Sequence, residues 1–69
     1  MTQIEFWRRA RDLNQEEMAR LVGITRKDYQ ALESGRARPT AGQRAKLRAF
    51  FKCSDLKVDK LLSRVKIPA

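Results

Sequence analysis

The 69-residue chain contains no histidine and a single cysteine, Cys53. One cysteine forms no intrachain disulfide, so a small fold stapled by bridges is excluded and a reducing compartment, the cytoplasm, is expected. Cys53 reads as a small hydrophobe rather than a reactive thiol. Without histidine, nothing pairs a nucleophile with a base or assembles a zinc site, so neither catalysis nor any metal or cofactor is expected. Asp28 and Glu33 fall on one short predicted helix, but a carboxylate pair without a pocket is not a mechanism. No apolar run approaches the ~20 residues of a membrane span, and no signal-peptide core opens the chain. Aromatic residues are only 7% of the sequence, too sparse for the stacking platforms that grip single-stranded RNA. Acids are scarce as well: eight against sixteen Lys and Arg, a formal net charge of +8. That imbalance favours a polyanionic partner, either nucleic acid or an acidic membrane surface.

What is present is helical spacing from end to end, in a chain long enough for one small domain. Thr2-Gln3-Ile4-Glu5 has the pattern of a capping box and opens a first helix with Ile4, Trp7 and Ala10 on its inner face. Asn14 caps a second, whose stripe is Met18, Ala19 and Val22. Thr25 offers a third start, with Asp28 favourably placed against the helix dipole. Tyr29 and Leu32 continue that helix's inner face until Gly35 ends it. A basic loop, Arg36 to Pro39, leads to a fourth helix carrying Ala45, Leu47, Phe50 and Phe51. A fifth, capped by Ser54 or Asp55, shows Val58, Leu61, Leu62 and Val65, and a short tail, Ile67-Pro68-Ala69, follows. The expected fold is all-α, a compact five-helix domain over residues 1–69, with no repeat and no linker.

Met18, Val22, Ile24, Tyr29 and Leu32 must face one core, and no single straight helix places them so. A break at Gly23 resolves this, because glycine adopts positive φ without a Cβ penalty and lets the chain restart at a steep angle. Ala19, one turn earlier, marks the closest approach of the two helices. A larger side chain there would push the third helix away. This is the helix-turn-helix pattern, and an ordinary helical hairpin with an incidental glycine is its bland alternative.

The surrounding residues carry a family resemblance. Leu13-Asn14-Gln15-Glu16-Glu17-Met18-Ala19, Gly23-Ile24-Thr25-Arg26, Leu32-Glu33-Ser34-Gly35-Arg36 and Pro39 resemble the phage-repressor family (Cro-type, xenobiotic-response-element) over about residues 2–62. The resemblance implies a lambda-repressor-like domain that binds operator DNA, commonly as a dimer. It departs in two places: Phe51 to Leu61 is somewhat longer than usual, and Arg48 stands where the family often has a small apolar residue.

With Tyr29 and Leu32 inside, helical geometry turns Arg26, Lys27, Gln30, Ala31 and Ser34 outward. The resemblance implies that the start of this helix enters the major groove. Arg26 would then donate to guanine O6 and N7, Gln30 would read adenine, and the methyls of Thr25 and Ala31 would meet thymine. Lys27 reaches a base or a phosphate. Gln15 opens the second helix, where its amide and the helix N-terminus suit a phosphate. Between Ser34 and Lys52 stand six basic residues and no acid, so Ser34, Arg36, Arg38 and Arg44 are the remaining backbone candidates. Lys46, Arg48 and Lys52 read as solvated. In relatives, the residues matching Arg8 and Glu33 form an ion pair between the first and third helices, which would make Arg8 structural.

The function expected is a sequence-specific duplex-DNA-binding regulator, a repressor, with a homodimer placing recognition helices about 34 Å apart. Leu61, Leu62 and Val65 are the candidate dimer surface, with plain intramolecular packing as the alternative. The rival reading is a protein-interaction module of the same fold: an antitoxin, antirepressor or coactivator. No effector-sensing domain is expected in so short a chain.

Overall fold

In a computed structural model that describes residues 1–65, five helices run in order: α1 Gln3–Arg9, α2 Gln15–Val22, α3 Arg26–Ser34, α4 Ala41–Phe51 and α5 Asp55–Leu61. Each begins at a hydroxyl or amide side chain that accepts from a backbone N–H three residues on. Thr2, Asn14, Thr25, Thr40 and Ser54 fill this role, satisfying donors that helical geometry leaves orphaned. At Asn14 the arrangement is reciprocal: Glu17 N donates to Asn14 Oδ1 at 2.8 Å, and Asn14 N donates to Glu17 Oε1 at 3.0 Å. Thr40 and Gln43 repeat it. Thr2 does not, because the Glu5 carboxylate turns to Arg9 at 2.7 Å instead. The Thr2 hydroxyl has a second task, donating to the backbone oxygen of Glu33 at 2.9 Å, which ties the start of α1 to the end of α3.

The turn between α2 and α3 follows from Gly23. Its φ is +94°, in the left-handed region, and Ala19 O accepts from both Gly23 N (2.8 Å) and Ile24 N (3.0 Å). Ala19 is buried at that turn, where α3 packs on α2. Lys46 on α4 closes the corner by donating from Nζ to Gly23 O at 2.7 Å. It is therefore a fastener of the turn rather than a merely solvated lysine.

The core gathers Ile4, Met18, Ala19, Val22, Tyr29, Leu32, Leu47, Val58 and Leu61. Trp7, Phe50 and Phe51 seal one side with edge-on rings, Trp7 lying 5.8 Å from Phe50 and 5.1 Å from Phe51. Edge-to-face packing of this kind adds roughly 0.5–1.5 kcal/mol per pair beyond area burial. Two predicted inner-face residues are outside it: Ala10 and Ala45 are exposed. A methyl side chain is indifferent to which face it takes, so its spacing carried little information.

The fifth helix is shorter than its apolar spacing predicts. It ends at Leu61, and Val65 lies beyond it. The chain there runs antiparallel to its own beginning, bridging Thr2 and Arg64, with Gln3 N donating to Ser63 O and Val65 N to Met1 O, both at 2.9 Å. Leu61 is buried in the core, while Leu62 and Val65 are half-buried, so the expected dimer surface is spent largely on intramolecular packing. The tail Ile67-Pro68-Ala69 lies outside the described residues.

Candidate nucleic-acid interface

α3 buries Tyr29, Leu32 and Glu33 and leaves Arg26, Lys27, Gln30 and Ser34 exposed. This is the division that 3.6-residue spacing dictates. Thr25 is exposed just before the helix, but its hydroxyl already accepts from Asp28 N at 3.1 Å, which leaves its methyl and one donor for a ligand. Ala31 differs from expectation. It is half-buried, because the following loop folds back and Arg36 N and Ala37 N both donate to its carbonyl, at 2.9 and 3.3 Å. Ser34 Oγ also donates to that oxygen, at 3.2 Å.

Gln15, at the start of α2, is anchored from beneath. Its Nε2 donates to Glu33 Oε1 at 3.1 Å. Glu33 is buried and accepts twice more from Arg8, from Nε at 2.8 Å and Nη2 at 2.9 Å. The third guanidinium nitrogen, Nη1, donates to Leu13 O. Arg8 is thus structural, as the resemblance implied. Burial disfavours the Glu33 charge, but the hydrogen bonds from Arg8 and Gln15 and the arginine's charge outweigh it and hold the carboxyl below its usual range. The same hydrogen bond raises the pKa of Arg8 against its own desolvation. Tyr29 lies within electrostatic reach of the pair. Its hydroxyl makes no hydrogen bond of good geometry among the described residues, and burial, then Glu33, push its pKa far up. Above this network, Gln15 and Arg26 border one shallow depression with Asn14 and Glu16, so a phosphate candidate and a base-reading candidate are brought side by side.

The basic loop divides in space. Arg36 and Arg38 are exposed and meet no carboxylate among the described residues. Arg44 does not share that freedom. Its Nε and Nη1 donate to Asp55 Oδ1 (3.3 Å) and Asp59 Oδ1 (2.9 Å), and Nη2 to Asp55 O (3.1 Å). The acid-free stretch held only along the sequence: α5 supplies the missing carboxylates, and Arg44, named above as a phosphate candidate, is paired with them and links α4 to α5. Arg48 joins the same cluster, donating to Asp55 Oδ1 at 2.7 Å. This accounts for a charged residue where a small apolar one was expected.

Two stacked helices, a tight left-handed glycine between them and a polar outward face on the second decide the class. A helix-turn-helix domain family matches the chain over residues 3–67. The chain belongs to that family. No curated protein and no solved structure matches it. In helix-turn-helix terms α2 is the supporting helix and α3 the recognition helix, and the architecture is that of DNA-binding regulators. Among the described residues, no group of three or more Cys, Asp and Glu side chains converges as a metal site. Among the described residues, no helix is long and apolar enough to cross a membrane.

Proposed function

We propose that this helix-turn-helix domain is a sequence-specific duplex-DNA-binding regulator of the Cro type, acting as a repressor and binding its operator as a homodimer. The observation that carries the reading is the outward face of α3. Arg26, Lys27 and Gln30 stand exposed on a helix anchored by its own cap, by the Gly23 turn and by the Glu33 network beneath. A bidentate donor and an amide, presented on a rigid helix, suit guanine and adenine edges in the major groove. Arg36 and Arg38 follow the C-terminal end of α3, and Gln15 lines the same depression as Arg26, so donors suited to phosphate lie near both ends of the helix. In this reading the domain acts by occupancy of its operator rather than by catalysis.

The test is selection from random duplex DNA with the wild type and with the double variant Arg26→Ala/Gln30→Ala. The expected result is a two-fold symmetric motif whose information content collapses at specific positions in the variant. Salt-sensitive binding without an enriched motif would mean that the basic surface holds DNA without reading it.

A further inference from the structure

The side of the molecule built from α1, the α4–α5 corner and α5 contains a groove that the DNA reading does not use. Its volume is about 480 Å³, and no residue of α2 or α3 lines it. The floor is apolar, formed by Trp7, Phe51, Leu61 and Val65, and Phe6 stands on its edge with 59% of its surface exposed. The charged residues along the groove are Arg11 and Lys57, and neither pairs with a carboxylate among the described residues. The Arg11 guanidinium lies instead over the Trp7 ring, 3.8 Å from its centroid, held at the groove by a cation–π contact.

We propose that this groove is a docking site for an acidic amphipathic segment of a partner protein. Such a segment would seat one or two apolar side chains against Trp7 and Phe6 and set carboxylates against Arg11 and Lys57. Charge selects this occupant over a second copy of the chain. An isologous contact across this groove would bring the cations Arg11 and Lys57 towards the same cations of the second copy, and like charges in apposition penalise that particular contact. The acidic segment neutralises both. Because the groove and the α3 face share no residue, the domain can hold DNA and such a partner together.

Trp7 is the only tryptophan, so its fluorescence reports on the site. The probes are two synthetic helical peptides with identical leucine and phenylalanine positions, one with glutamate at the polar positions and one with lysine. The acidic peptide should change Trp7 emission saturably, and the lysine peptide should bind at least tenfold more weakly. Phe6→Ala should weaken the acidic peptide at least tenfold, whereas Leu21→Ala, an equally exposed apolar residue away from the groove, should not. Arg11→Glu/Lys57→Glu should reverse the preference between the peptides. Amide shifts on binding should fall on α1 and α5. Equal binding of both peptides, indifference to Phe6→Ala, or shifts confined to α3 would overturn the proposal. So would a concentration-dependent dimer abolished by Phe6→Ala, which would make a second copy the occupant, or tight peptide binding seen only after removal of residues 66–69, which would make the chain's own tail the occupant. Selection of a DNA motif is a separate readout, so either reading can fail without the other.

Discussion

Glu33 Oε1 accepts from Arg8 Nη2 at 2.9 Å and from Gln15 Nε2 at 3.1 Å, so one buried oxygen joins α1, α2 and α3. The relationship makes Glu33 a keystone of the support beneath the outward face of α3. Glu33→Ala leaves Arg8 buried without its counter-ion, a loss of about 3–5 kcal/mol. Glu16, whose exposed contact to Arg20 spans 3.3 Å, belongs to the class of surface pairs worth about 0–1 kcal/mol. Urea unfolding should therefore give a much lower midpoint for Glu33→Ala than for Glu16→Ala. Equal midpoints would remove the keystone role.

The same carboxyl sets an acid-side pH dependence. Its folded pKa is lowered relative to the usual 4.5, so its contribution to stability is fully present above that value. It is lost as pH falls through the lower folded value, because the unfolded state then binds the proton first. The wild type should lose stability progressively below about pH 4.5, and Glu33→Gln should flatten that part of the curve while lying below it at neutral pH. A wild-type curve no steeper than the variant's between pH 4.5 and the onset of acid unfolding would contradict the lowered pKa.

Much of this was legible in the sequence, and the reason is locality. Thr25 and Asn14 act on N–H groups three residues away, and Gly23 governs a turn over a handful of residues, so spacing alone locates them. Tyr29 and Leu32 fall inside, and Arg26, Lys27 and Gln30 outside, because one helical period separates the faces. Where partners are distant, the pattern is silent. Arg44 finds Asp55 and Asp59 at separations of 11 and 15 residues, and Lys46 finds the Gly23 carbonyl 23 residues back. Val65 continues the apolar spacing of α5 but is taken out of it by a backbone bond to Met1. The Arg8–Glu33 pair was expected only through resemblance, and its third member, Gln15, was assigned outward to phosphate with no hint of the bond beneath it.

Glycine substitutions should separate by sign. Gly23 has φ +94°, and a Cβ added there would come no closer than 3.8 Å to Lys46 Cδ. The cost of Gly23→Ala is therefore the left-handed backbone alone, about 1–2 kcal/mol. Gly42 lies within the first turn of α4 at ordinary φ, and its Cβ would meet only Thr40 Oγ1 at 4.0 Å. Gly42→Ala should stabilise by about 0.4–1 kcal/mol, through reduced freedom of the unfolded chain. Thermal unfolding of the two variants should shift in opposite directions. A destabilised Gly42→Ala would mean that α4 needs the missing Cβ for a reason not visible in its packing.

The division of the basic loop gives the sharpest check on the interface. Arg36 and Arg38 are exposed and meet no carboxylate among the described residues, whereas Arg44 spends its guanidinium on Asp55 and Asp59. A phosphate contact releases a condensed counter-ion, so losing one lowers the slope of log affinity against log salt by about 0.9 for duplex DNA. Arg36→Ala and Arg38→Ala should each reduce the slope by that amount and weaken all sequences alike, since phosphates carry no base identity. Arg44→Ala should leave the slope at its wild-type value and lower the unfolding midpoint instead, because it opens the α4–α5 cluster. Binding titrations across a range of salt concentrations, paired with unfolding of the same three variants, measure both quantities. If Arg44→Ala lowered the slope as Arg36→Ala does, the guanidinium would have to leave both aspartates on binding, and the interface would extend along α4 beyond the loop.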